Sequence, residues 1–175
     1  MKYLAILRGI NVGGHRKILM ADLKVLFTTL GFENISTYIQ SGNVFFETNK
    51  ERKDIENSIV KGIEDTFGFK VPVIIIQVEE LKAIKSKNPY VENNGVEKLH
   101  VTFLNEKPSK EIVDEINGMD FTPDKFSVIE RLVFLNIEGK YHKSKLSNNF
   151  FEKKLGVVAT TRNWKTINKL IELSE

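Results

Sequence analysis

Two spacings of apolar residues take turns along this chain, a compact run of a few residues and a recurrence every three to four, and their order predicts its elements. Residues 3–8 form a short run of strand formers, followed by a polar, glycine-containing stretch over 9–17. Across residues 20–30, Leu23, Leu26, Phe27 and Leu30 fall at helical spacing, Asp22 lies in the first turn, and Gly31 follows as a stop. Residues 35–39 and 43–47 read as strands joined by Gln40, Ser41 and Gly42, so the pair is a hairpin. Residues 54–67 place Ile55, Ile59, Ile63 and Phe67 every four positions and end at Gly68, after which 71–77 read as a buried strand.

The resulting order, βαββαβ, is that of the ferredoxin-like split βαβ unit, in which right-handed crossovers put both helices on one face of an antiparallel sheet. After a linking helix over 79–87 comes a turn-rich segment from Asn88 and Pro89 to Asn93, Asn94 and Gly95, the expected domain boundary. Beyond it the pattern starts again. Residues 98–104 are a strand, 109–116 a helix capped by Ser109, and 126–130 with 132–137 a second hairpin. A helix over 146–155, a minimal strand over 157–159 and a closing helix over 164–173 complete a second half that reads as shorter and looser. The expected fold class is α+β: two tandem ferredoxin-like halves over 1–80 and 98–175, linked by 81–97, with antiparallel sheets backed by helices.

Composition narrows the chemistry. The chain holds 41% hydrophobic and 28% charged residues with four prolines, an ordinary globular make-up. There is no cysteine, which excludes disulfides, thiolate metal sites and cysteine nucleophiles. The longest apolar run, 71–76, is far short of the ~20 residues that cross a bilayer, and the first eight residues are too short for a signal h-region. A cytoplasmic protein without a membrane partner is expected. The net charge of +3 permits anionic partners without demanding them.

In a βαββαβ sheet the first two strands are parallel, so the loop at 9–17, the hairpin turn at 40–43 and the turn at 68–70 should meet at one rim. That rim gathers Arg8, Asn11, Lys17, Gln40, Ser41 and Asn43. Gly13 and Gly14 would let main-chain N–H groups approach a phosphate, with Arg8, Arg16 and Lys17 supplying charge. Gly9 and Gly14 have the spacing of a P-loop, but His15 and Arg16 stand where its Lys and Ser/Thr belong. The bland alternative is a tight loop and a hairpin turn that need these residues for shape alone. Farther on, Arg162 is expected in the first turn of the closing helix, where a cation opposes the helix dipole and calls for a compensating carboxylate, as in a structural salt bridge, or for an anionic ligand; Thr161 or Asn163 would cap that helix. Lys143, Ser144 and Lys145 precede the other late helix and add positive potential. His15, His100 and His142 have no metal-binding spacing, so they are read as solvated or core residues, and no metal and no cofactor is expected.

Three strings carry a resemblance. They run from Leu7 to Gly14, from Tyr38 to Val44, and from Leu155 to Trp164. In that order they resemble the bacterial family known as domain of unknown function 1697. The segment Ser144, Lys145 and Leu146 is similar too, although His142 and Lys143 stand where the resemblance would put glycine and arginine. The resemblance implies a pair of α-β plait domains and supplies no activity.

The function expected from these readings is that of a protein of unknown biochemical role that binds a phosphorylated small molecule or nucleotide at the rim or at the cleft between halves. One alternative is RNA or single-stranded nucleic acid on the sheet faces, stacked on Tyr3, Tyr38, Phe45 or Phe134, although no RRM string is present. Another is a protein-interaction or dimerisation module that uses a sheet edge. No acid and base pair marks a reaction, and nothing in the sequence sets the oligomeric state.

Overall fold

The computed structural model describes residues 1–92 and 94–175. Strand β1 (Lys2–Leu7) leads to helix α1 (Met20–Thr29), strands β2 (Glu33–Tyr38) and β3 (Asn43–Glu47), helix α2 (Arg52–Phe67) and strand β4 (Val73–Gln77). They form one sheet in the order β2-β3-β1-β4, with every neighbour antiparallel. One antiparallel strand separates β1 from β2, so these two are parallel and end at the same rim. Short helices α3 (Val78–Lys82) and α4 (Ile84–Lys87) come next. The pattern then recurs as β5 (Leu99–Leu104), α5 (Lys110–Asn117), β6 (Lys125–Ile129), β7 (Leu132–Asn136), α6 (Asn148–Leu155), β8 (Ala159–Asn163) and α7 (Trp164–Leu173). Its sheet order is β6-β7-β5-β8, the same topology. The protein is α+β with two four-stranded antiparallel sheets backed by helices. It divides into two compact units, Met1–Leu81 with Ser174, and Lys82–Leu173 with Glu175.

Helical spacing explains the first core. Leu23, Leu26 and Phe27 of α1 and Ile55, Ile59 and Ile63 of α2 bury against Tyr3, Ala5 and Leu7 of β1 and Val44 and Phe46 of β3. Alternate strand residues share one face, which is why the odd positions of β1 meet the helices. Each large side chain so buried contributes roughly 1.5–3 kcal/mol. Helix α2 stops at Gly68, whose φ of 80° only glycine adopts cheaply. In the second unit Ile116, Phe151 and Leu155 pack on Leu104, Val133, Leu135 and Ala159. Ser109 and Ser147 cap α5 and α6 by accepting from the N–H groups of Ile112 at 3.4 Å and Phe150 at 3.2 Å.

Several expectations change. The linking helix over 79–87 is two short helices, interrupted at Ala83, which keeps α-region angles, so the break is a loosened turn and not a change of direction. Asn93, within the turn-rich segment, lies outside the described residues. The second half is not looser than the first, because its last strand is Ala159–Asn163 and not 157–159. β-Branched Thr160 and Thr161 extend it by pairing with Phe103 and Thr102 of β5, and the hydroxyls of Thr161 and Thr102 lie 2.7 Å apart. Arg162, pairing with Val101, is therefore a strand residue rather than part of a helix's first turn.

Gly42 ends the β2–β3 turn with φ 84°, and a Cβ there would lie 2.7 Å from Leu7 Cβ and 2.8 Å from Ile10 Cδ1. Gly14 has a similar φ of 76° but open space around it. Gly42→Ala should cost about 2–5 kcal/mol, strain plus overpacking, and Gly14→Ala only the ~1–2 kcal/mol of the left-handed backbone. Urea unfolding of both variants checks this, and equal losses would show that the close approach at Gly42 is not tight.

Candidate functional site

Between β1 and α1 the chain makes a miniature hairpin. His15 N donates to Val12 O at 3.1 Å, and the two residues between them, Gly13 and Gly14, both have positive φ, the geometry of a type I′ turn. Asn11, itself left-handed at φ 55°, accepts the returning strand by donating from its main-chain N to Arg16 O at 3.1 Å. Its side chain ties the loop to two neighbours. Nδ2 donates to Ile18 O at 3.0 Å and to Gln40 O at 2.8 Å, while Oδ1 accepts from Ile18 N at 2.9 Å. Both amide donors are thus used, and Asn11 shapes the rim instead of offering donors to a ligand.

The three loops converge as the topology requires. Leu7 N donates to Gly42 O at 2.8 Å, and Arg8 N donates to Pro72 O at 3.0 Å. At their meeting point lies a cavity of about 420 Å³ lined by Asn11, Gly14, Lys17, Ile18, Leu19, Asp22, Gln40 and Phe67. Its walls combine an apolar side, from Ile18, Leu19 and Phe67, with the cation Lys17 and the carboxylate Asp22. Helix α1 begins there, and no side chain caps its first turn: Leu19 occupies the N-cap position. Main-chain N–H groups that such a residue leaves without a side-chain acceptor suit an anion. Among the described residues Lys17 makes no ion pair.

Of the residues singled out in the sequence, Asn11, Gly14, Lys17 and Gln40 line this cavity. Gly13 belongs to the same turn, and half-buried Arg8 opens the loop without lining the cavity. Ser41 and Asn43 serve the hairpin: Asn43 is fully buried and donates from Nδ2 to Tyr38 O and to Ser41 Oγ, both at 3.1 Å. The remaining three are in the second unit. Lys145 is exposed in the loop before α6. Asn163 caps α7, accepting at Oδ1 from Thr166 N at 2.8 Å, so of the two caps expected there Asn163 is the one used. Arg162 is half-buried and donates from Nη1 to Thr160 Oγ1 at 3.2 Å and Thr161 O at 3.0 Å, and burial pushes its pKa down to about 10. The dipole argument for an anion at Arg162 falls with its helical placement.

Ile18 and Leu19 fall between the loop over 9–17 and the helix over 20–30 that the sequence predicts, and Asp22 and Phe67 are read there only as helix residues. Phe67 could have been found, because it ends α2 just before the turn at 68–70 that the topology sends to this rim. Among the histidines, His100 is a core residue stacked on Tyr141 at 4.8 Å, and burial lowers its pKa. Tyr3 lies in the helix-backed core, stacked on Phe46, and Phe45 and Phe134 are buried, so these rings do not offer the open platform that base stacking uses. Among the described residues no group of three or more His, Asp or Glu could hold a metal ion.

The repeat provides an internal comparison. At the same rim of the second unit, where the β5–α5 loop meets the β6–β7 turn, a cavity of about 390 Å³ is lined by Lys107, Pro108, Lys110, Val113, Val128, Ile129 and Glu130. There Lys107 pairs with Glu130 at 3.0 Å, Lys110 with Asp114 at 2.6 Å, and Ser109 caps the helix. The second rim satisfies its own charges.

Two units of βαββαβ order with such rims define a tandem α-β plait protein. Residues 1–134 match the family described as Protein of unknown function (DUF1697), and the chain belongs to that family. The first two strings of the resemblance fall inside the match, and the third, from Leu155 to Trp164, lies beyond it. A solved structure, the conserved bacterial protein SP0830 from Streptococcus pneumoniae, is similar with a TM-score of 0.80 and 22% identity, over 99% of this chain and 98% of that one. That likeness shows the fold. No curated protein matches the chain.

Asn11→Ala should remove the tie at Ile18 and Gln40 and weaken the loop by roughly 1–3 kcal/mol. Hydrogen exchange reads this locally: the Ile18 amide should exchange at least about fivefold faster in the variant, each tenfold being ~1.4 kcal/mol. An unchanged rate would show that the loop is held without Asn11.

Proposed function

We propose that the rim cavity of the first unit binds a mononucleotide or a phosphorylated metabolite of that size. What supports the reading most is the contrast between the two rims: at the first, Lys17 without an ion pair among the described residues and the uncapped start of α1 border one cavity, whereas the second has its lysines paired and its helix capped. A phosphate next to Lys17 and the first turn of α1 gains charge-assisted hydrogen bonds of about 1.5–3 kcal/mol each. Asp22 would repel a bare anion, so the ligand carries hydroxyl donors as well, as a ribose does. Ile18, Leu19 and Phe67 supply an apolar wall for a base or other ring. A volume of about 420 Å³ lies at the lower end of small-molecule sites, which suits one nucleotide and not a dinucleotide.

The proposal moves the key cation from Arg8 and Arg162, first suggested by the sequence, to Lys17. It assigns binding and no reaction. No helix among the described residues is long and apolar enough to cross a membrane. The cytoplasmic placement that the absence of cysteine suggests is part of the same proposal.

A thermal-shift series with AMP, ATP, ribose 5-phosphate and inorganic phosphate tests it. Ligand at a hundred times its Kd should stabilise the protein by about 2.7 kcal/mol, a rise of about 5–11 °C in Tm. Lys17→Ala should abolish the rise for every phosphate compound, and Asp22→Asn should weaken the ribose-containing ligands selectively. If no phosphate compound shifts Tm, or if Lys17→Ala responds as the parent does, the cavity is not an anion site.

A further inference from the structure

The charge of this chain is unevenly placed. Residues 1–81 contain ten basic and ten acidic side chains, so the whole excess of +3 belongs to residues 82–175. Within these, residues 140–171 hold eight lysines and arginines against one acid, Glu152. Some of that charge is neutralised or buried: Lys169 pairs with Glu172 at 2.6 Å, Lys154 is 3.9 Å from Glu115, and Arg162 is half-buried against Thr160 and Thr161. Lys153, in the last turn of α6, is exposed; Lys140, Lys143, Lys145 and Lys165 are the other four exposed ones, and none of the five makes an ion pair among the described residues.

The fold brings those four lysines to one end of the second unit. Tyr141, in the short 3-10 turn Tyr141–Lys143, stacks on His100, and His100 is the β5 residue paired with Asn163 at the end of β8. Thr161 Oγ1 donates to Oδ1 of Asn148 at 2.7 Å, holding the start of α6 against the middle of β8, two residues before that end. Ser144 Oγ donates to Asp124 Oδ2 at 2.7 Å and accepts from Leu146 N at 3.1 Å, which fixes the path of the loop between Lys143 and Lys145. Of the acids next to these lysines, Asp124 is thereby turned to hydroxyl and amide donors, since it also accepts from Glu138 N at 2.9 Å, and Glu138 pairs with Lys98 at 2.7 Å. Lys165 lies two residues after Asn163, in the first turn of α7.

We infer that this lysine cluster is a docking surface for the phosphodiester backbone of a nucleic-acid strand. It is built from other residues than the first-unit cavity and takes another ligand class. The surroundings favour this occupant over the other anionic ones. None of the large exposed apolar side chains of the protein falls within residues 140–171, so the surface lacks the apolar anchor that a membrane-bound face or a protein hot spot needs. Exposed lysines without such an anchor bind through phosphate neutralisation and release of counterions. Tyr141 has one ring face on His100, and no string for base readout is present, so binding follows charge and not sequence.

Fluorescence anisotropy with the full chain and labelled ~20-nucleotide oligo(U) and oligo(dT) tests this across a salt series, with polyglutamate as a control. With four lysines engaged, affinity should fall about 50-fold from ~50 to ~200 mM salt, at ~0.7 per contact in the logarithmic slope for single strands. The variant Lys140→Ala, Lys143→Ala, Lys145→Ala and Lys165→Ala combined should bind at least about tenfold more weakly at ~50 mM salt, with most of the salt slope gone. These residues are exposed, so the melting temperature should stay close to the parent's and shows that the variant is folded. Binding of either oligonucleotide with that dependence supports the inference. It is overturned by no binding at ~50 mM salt, by a fourfold variant that binds like the parent, or by polyglutamate competing as well as nucleic acid. A variant that fails to fold is replaced by Lys143→Glu with Lys145→Glu, read by the same loss.

Discussion

A main-chain hydrogen bond of 2.8 Å from Leu7 N to Gly42 O holds the end of β1 against the turn between β2 and β3. It exists because β3 lies between two parallel strands, and it is this close because residue 42 has no Cβ to meet Leu7 and Ile10. From that contact the rest of the rim follows. Ile10, held under the turn, starts the loop whose Asn11 then reaches both Gln40 O and the main chain of Ile18. The segment from Ile18 to α1 is placed by the same side chain, and Lys17 is carried with it. A rim made by three loops distant in sequence thus depends on one register and one missing side chain.

The repeated topology separates what the fold imposes from what this unit adds. Both rims have a cavity where a strand-to-helix loop meets a hairpin turn, because any βαββαβ sheet leaves that corner open. At the second corner, Lys107 with Glu130 and Lys110 with Asp114 pair, and Ser109 caps the helix, so its polar groups bind one another. At the first corner Leu19 occupies the capping position and Lys17 is left to solvent. An uncapped helix costs about 0.5–2 kcal/mol relative to a capped one. Such a deficit is what a ligand supplies when it takes the place of the missing cap.

Element types and their order were legible in the sequence because the apolar spacing was strong: Ile55, Ile59 and Ile63 on α2, and the compact runs of β1 and β4, point to one structure only. Parallel β1 and β2 followed from that order, and with them the meeting of the 9–17 and 40–43 loops. What could not be read was the use to which a residue puts its polar atoms. Asn11 and Asn43 look like ligand donors as letters, yet both spend their amides on main-chain carbonyls. Arg162 was misplaced because it stands just before Trp164, where the helix does start, and was counted with its first turn, while the pairing of Thr160 and Thr161 with β5 that makes it a strand residue depends on partners some 60 positions away. Asp22 and Phe67 escaped notice as wall residues because each already had a sufficient reason to be there, as a first-turn acid and as the last apolar residue of a helix.

The most direct test of the rim as a ligand site is a two-dimensional amide NMR titration of the full chain with AMP. The account predicts saturable shifts concentrated at Gly14, Lys17, Ile18, Met20, Ala21 and Gln40, with the amides around Lys107 and Glu130 at the second rim unmoved. Shifts spread evenly over both rims, or centred away from the first one, would contradict it.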